Sequence, residues 1–128
     1  MIRIFVLLAL VLQVAWPVAA WAALSSQQLY EQALTASRTG DFEQALPLWD
    51  QVLTLQPKDA AALSNRGNVR LALGDPDGAI ADQTRAMALA PDEADPHLNR
   101  GTAEEALQEA EAAAKAGRAR ALVVAARV

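Results

Sequence analysis

Cysteine is absent from the 128 residues, which removes disulfides, thiolate nucleophiles, iron–sulfur clusters and Cys-type zinc sites. Histidine occurs once, as His97, so a multi-His metal site is impossible and a His-based catalytic triad is disfavoured. Positive charge is also scarce: 11 Lys+Arg stand against 15 Asp+Glu, for a net charge of −4. Binding to a phosphate backbone needs a basic stripe, so nucleic acid is not an expected partner. Convincing strand patterns and Gly-rich phosphate loops are missing too. Apolar residues are plentiful. At 53% of the chain they exclude disorder throughout, and the length allows one compact domain or a short repeat array.

The first 22 residues read as a targeting segment. Arg3 supplies a positive start, Ile4 to Val14 are apolar except for Gln13, and Ala20-Trp21-Ala22 forms a small-x-small cleavage site after the helix-breaking Pro17. Cleavage after Ala22 takes Arg3 away and leaves the remainder more negative. The alternative is an uncleaved anchor over residues 4–24, long enough to cross a bilayer. In either case the rest of the chain is expected to be exported.

A period of 34 residues organises the remainder of the chain. At this offset Gly40-Asp41 aligns with Gly74-Asp75, Ala45 with Ala79, Pro57 with Pro91, and Asn65-Arg66-Gly67 with Asn99-Arg100-Gly101. Each unit reads as two helices joined by a Gly-Asp turn: Ser26–Ser37 then Phe42–Leu55, and Ala60–Leu73 then Ala79–Leu89. Small residues at 33, 45, 67 and 79 let the paired helices approach closely. Such a pair cannot bury its apolar face alone, so the units must stack.

These residues resemble the tetratricopeptide repeat (TPR) family, whose 34-residue helix–turn–helix places small residues at positions 8 and 20 and proline at 32. Ala33, Ala45 and Pro57 take those places counting from Ser26, and Gly67, Ala79 and Pro91 counting from Ala60, with Phe42 and Trp49 at aromatic sites. The resemblance covers residues 26–107. It implies an all-α fold, a right-handed solenoid of about 2.5 helical hairpins, with repeats at 26–59 and 60–93. Pro76 and Gln83 replace the aromatics of the second repeat, which predicts looser packing there. The third repeat starts at Ala94 but has Gln108-Glu109 where the Gly-Asp turn is due, so residues 94–116 are expected to form one long capping helix. Gly117 to Val128 is a basic tail with Arg118, Arg120 and Arg127. It reads either as a terminus leaning on the last repeat or as a contact with an anionic membrane.

Catalytic signals are thin. Asp75 and Asp77 lack the further oxygens of a calcium loop and read as a turn and helix cap. His97, beside Asp92, Glu93 and Asp95, stands where Leu29 and Leu63 stand in the earlier repeats. It reads as a partly buried packing residue, against the alternative of a ligand or general base. No enzyme activity, metal or cofactor is expected.

The resemblance implies a binding surface, because the first helix of each TPR lines a concave face. Mapped here, that face carries Tyr30, Glu31, Ser64, Asn65, Asn68, Leu98, Asn99 and Thr102, along with Asp95. The Asn amides suit an extended peptide backbone, and they equally suit a structural role as repeat consensus. TPR domains that clamp a peptide's terminal carboxylate add Lys and Arg on this face. Asn65 matches one such position, but the mapped face has no lysine and Asp95 occupies a basic site, so a neutral or basic peptide is the expected partner. The function implied is that of an exported interaction module. It would be a scaffold or adaptor of the kind found in a bacterial periplasm or thylakoid lumen, where such proteins assist complex assembly. The alternative is a self-associating structural module, a homo-oligomer without a separate ligand.

Overall fold

The computed structural model describes residues 24–126. The expected targeting segment and the last two residues of the basic tail lie outside them. Within the described residues the chain is all helix: α1 (Ser26–Thr39), α2 (Phe42–Leu55), α3 (Ala60–Ala72), α4 (Pro76–Leu89) and α5 (Ala94–Ala125). Consecutive helices pack as neighbours, and α5 also reaches α3.

Local chemistry sets the helix ends. Ser25 and Gln28 form a capping box ahead of α1, and Asp41, Asp59 and Asp75 accept from the backbone N–H groups of Gln44, Ala62 and Gly78 to cap α2, α3 and α4. Gly40 and Gly74 end the first helix of their hairpins at φ of 80° and 82°, a left-handed turn that glycine adopts at no steric cost. Asp41 N–H then bonds Ala36 C=O and Asp75 N–H bonds Arg70 C=O, which closes each helix and starts the next. Pro76 is the first residue of α4, so Asp77 and Gly78 belong to the helix and not to the turn before it.

The first hairpin is held by apolar packing. Ala33 and Ala45 are fully buried where α1 and α2 meet, and Trp49, Val52 and Leu63 are buried beside them. The indole N–H of Trp49 donates to Ser37 Oγ at 2.9 Å, and the Tyr30 ring meets Trp49 edge-on at 5.0 Å between centroids. Burial, with Asp59 beside it, raises the Tyr30 phenol above its usual pKa of 10.0, against a lowering hydrogen bond from Asn65.

The second hairpin differs from the sequence expectation, because it is not loose where the aromatics are missing. Gln83 stands in place of Trp49 and is only 1% exposed. Its Nε2 donates to Ser64 C=O at 2.9 Å and to Asn68 Oδ1 at 3.1 Å. A Cβ added to Gly67 would lie 2.7 Å from Gln83 Nε2 and 3.3 Å from the Ala79 carbonyl, so the two helices touch backbone to backbone there. Next to Gln83, the carboxylate of Asp82 is 2% exposed and takes a two-pronged bond from Arg66 at 2.8 and 2.7 Å. Arg70 adds a third bond to it at 3.0 Å, and Arg66 also reaches Asp50 on α2 at 2.8 Å. These bonds, Asp82 first, hold the Arg66 guanidinium in its charged form more firmly still, although burial opposes it.

The third repeat is a single helix, and α5 runs past Ala116 to Ala125. A glycine inside a helix costs only about 1 kcal/mol relative to alanine, so Gly117 among alanines and arginines does not stop it. His97 is exposed, contrary to the packing role expected for it. Leu29 and Leu63 are buried and lie in the first helices of two-helix hairpins, whereas among the described residues no second helix folds back over His97.

Trp49→Ala is expected to cost roughly 3–5 kcal/mol in denaturant unfolding, as a large aromatic truncated in a core does. Asp82→Ala leaves Arg66 and Arg70 facing each other in a buried site. It should cost about 3–5 kcal/mol by the same measurement, whereas Asp50→Ala, at the exposed end of the network, should cost about 1 kcal/mol or less. As the single tyrosine, Tyr30 can be followed by tyrosinate absorbance, with a folded midpoint above 10.0 that returns to about 10 in denaturant. Because the folded value is the higher one, its contribution to stability is complete below pH about 10 and is lost as pH rises through the folded midpoint.

Candidate functional site

The residues expected to bind, on α1, α3 and α5, border more than one hollow. A hollow of about 570 Å³ opens between the N-terminal ends of α3 and α5 and is lined in part by Lys58, Asp59, Ser64, Asn65, Glu93 and Asp95. A second, of about 470 Å³, lies between α1 and α3, where Leu34, Arg38 and Phe42 face Asn65, Asn68 and Val69. Asn65 borders both. Glu31 lines a separate shallow depression with Ser25, Gln28 and Gln32.

The asparagines have a structural share that repeats along the chain. Asn65 Nδ2 donates to Tyr30 Oη at 3.5 Å, and Asn99 Nδ2 donates to Ser64 Oγ at 3.3 Å, each reaching a residue one repeat and one position earlier. The first bond is long and weak. Among the described residues no further hydrogen bond engages either amide oxygen, so each amide keeps acceptor capacity for a ligand. Asn68 is different, because its Oδ1 accepts from the buried Gln83 and supports the hairpin.

Leu98 and Thr102 contribute less. Leu98 is 72% exposed, and the Thr102 hydroxyl donates back to the Leu98 carbonyl at 3.2 Å. Sequence reasoning left Lys58, Asp59 and Glu93 off the mapped face, and they bring charge to the hollow from the turns between repeats. It also passed over Asp82. The available signal was its place between Ala79 and Ala86 on the buried face of α4, where a carboxylate requires partners, with Arg66 and Arg70 one turn apart on the facing helix.

The hollow carries one cation, Lys58, against the carboxylates of Asp59, Glu93 and Asp95, so it favours neutral or basic ligands. The Tyr30 phenol beside Asn65 stays protonated across the neutral range and offers a neutral donor and acceptor at its edge. His97 Nε2 lies 3.3 Å from the Pro91 carbonyl, apart from this lining. Among the described residues no group of three His, Asp or Glu side chains is placed to hold a metal ion.

Comparison with known proteins bears on the same region. The sequence model of the family described as "Tetratricopeptide repeat" matches residues 30–94. Tetratricopeptide repeat protein 36 of Bos taurus is 41% identical over 64 residues, which cover 50% of this chain and 34% of the relative. DnaJ homolog subfamily C member 3 of Gallus gallus is 39% identical over 66 residues, covering 52% of this chain and 13% of that protein. The chain thus spans about a third or less of these curated relatives. Among solved structures, the first TPR of Spaghetti (RPAP3), bound to the HSP90 peptide SRMEEVD, superposes with a TM-score of 0.61 at 24% identity, covering 70% of this chain and 73% of that one. The TPR2B domain of yeast Sti1, in its pHsp70 complex, gives 0.63 at 23% identity, covering 69% and 70%. At these identities the likeness shows the fold. With a family match across half its length and stacked helical hairpins in its structure, the chain belongs to the tetratricopeptide repeat family.

Proposed function

We propose that the chain is a non-catalytic interaction module that holds an extended, neutral or basic segment of another protein against the hollow between α3 and α5. The observation that carries this reading is the lining itself, in which carboxylates outnumber the single lysine around the half-buried Asn65. An extended backbone needs paired donors and acceptors, which the amide supplies, and the acids add attraction for Lys or Arg on the incoming segment. The two solved neighbours, one with an HSP90 peptide and one in a pHsp70 complex, support peptide capture on this architecture. The present hollow has the wrong sign for the glutamates of SRMEEVD. The apolar run Ile4–Val14 supports export to a periplasm or lumen, with the segment either cleaved after Ala22 or kept as an anchor. In such a compartment a module of this kind serves the assembly of larger complexes.

Fluorescence anisotropy with labelled SRMEEVD and with its counterpart carrying lysine at each acidic position tests the reading. The basic peptide is expected to bind at least about tenfold tighter, a difference of about 1.4 kcal/mol, and to weaken as salt screens the pair. Asp95→Lys should narrow or reverse that preference, and Asn65→Ala should weaken binding with helicity unchanged. Equal or tighter binding of the acidic peptide overturns the proposal. Asn68→Ala is unsuitable as a binding variant, because it removes an acceptor from the buried Gln83.

A further inference from the structure

The two hollows that meet at Asn65 differ in chemistry. The one between α3 and α5 is rich in carboxylates, whereas the one between α1 and α3 is lined by none. Leu34, Phe42, Val69 and Ala72 give that second hollow an apolar wall, and Arg38 is its single charge. Its other polar members are largely engaged already. Ser37 donates to the Ala33 carbonyl and accepts from the Trp49 indole, and Asn68 Oδ1 accepts from Gln83. Leu34 and Phe42 are only half-buried, so they keep apolar surface that a ligand can cover.

We propose that the hollow between α1 and α3 is a second subsite, which takes an apolar side chain of the same bound segment. That side chain stands four residues from the Lys or Arg held in the acidic hollow. The inference rests on the reading of the acidic hollow given above and adds a motif to it: a basic and an apolar residue at i and i+4, with a small residue midway.

The spacing follows from the helices. On α3 the acidic hollow is bordered by residues 60, 61, 64 and 65, and the apolar one by 65, 68, 69 and 72. Their centres are about six positions apart, or about 9 Å along the helix axis. α3 stands between α1 and α5, which do not touch each other, so the hollows lie on opposite sides of it. They are thereby offset across α3 by about one helix spacing, roughly 8–10 Å. The diagonal is about 13 Å, which an extended chain rising about 3.3 Å per residue covers in four residues. Because four is even, both side chains leave the same face of the segment, and so does the one midway, which lies over Asn65. A small side chain there lets the Asn65 amide oxygen, engaged by no hydrogen bond among the described residues, reach a backbone N–H. Charge then fixes which end goes where. Arg38 repels a basic residue from the apolar hollow, while Asp59, Glu93 and Asp95 draw it to the other.

Short labelled glycine–serine peptides carrying one arginine and one leucine at spacings of two, four and six, each in both orders, are titrated into the full-length chain by fluorescence anisotropy. In the better order, spacing four is expected to bind about tenfold tighter than two or six, and replacing its leucine by serine should remove that gain. Ala72→Trp fills the apolar hollow from its exposed edge. It should cancel the leucine gain and leave the arginine's contribution, whereas Asp95→Lys should do the reverse. The spacing series is read on the unsubstituted chain, so it decides the matter even where a variant loses helicity. Equal binding at all three spacings, or a leucine gain that survives Ala72→Trp in a folded chain, overturns the second subsite and leaves the acidic hollow standing. No loss on replacing the arginine by serine overturns the acidic hollow, and this proposal with it.

Discussion

A carboxylate almost wholly removed from water, that of Asp82, ties the second hairpin to its neighbours. An unpaired charge in such a place is costly, and this one is answered by three bonds from two arginines one turn apart on α3. Arg66 passes the connection on to Asp50, so a single side chain links α2, α3 and α4. The first repeat does the equivalent work with Trp49 and its surroundings. The two hairpins therefore reach similar closeness by different chemistry. One uses apolar volume, and the other uses a buried polar system centred on Asp82 and Gln83.

That difference shapes the face that carries the asparagines. Because Gln83 consumes the amide oxygen of Asn68, one of the three asparagines facing inward belongs to the scaffold. Asn65 and Asn99 are shared: each spends one N–H stitching its repeat to the one before and keeps its oxygen. Position on a face was legible in the sequence, since a 34-residue period places both asparagines alike. Occupation was not legible, because it depends on Tyr30 and Ser64 standing one repeat back at bonding distance. The charge of the hollow was half legible. Asp95 was visible as a departure from the basic sites of peptide-clamping relatives, while Lys58, Asp59 and Glu93 come from turns that a helix-face map does not include.

The expectation for His97 failed for an instructive reason. Its alignment with Leu29 and Leu63 is sound, but burial at that position is conferred by a second helix folding back over the first. The third repeat has Gln108-Glu109 in place of a glycine able to turn left-handed, so the helix runs on and the position stays open. The same loss of the turn gives α5 its length and leaves its pairing face uncovered.

Helix identity and the places of the two Gly-Asp turns were legible in the sequence alone, because caps, left-handed glycines and small residues act locally and recur at a fixed interval, whereas the start of α4 at Pro76 and the extension of α5 to Ala125 were not. Tertiary structure decided which polar residues are buried, which asparagines are already bonded, and where the open end lies. Those outcomes depend on what a neighbouring helix brings within hydrogen-bonding reach. Asp82 and His97 show both sides of this: the buried carboxylate is met by Arg66 and Arg70 across the hairpin, and the imidazole is exposed where, among the described residues, no helix returns to cover it.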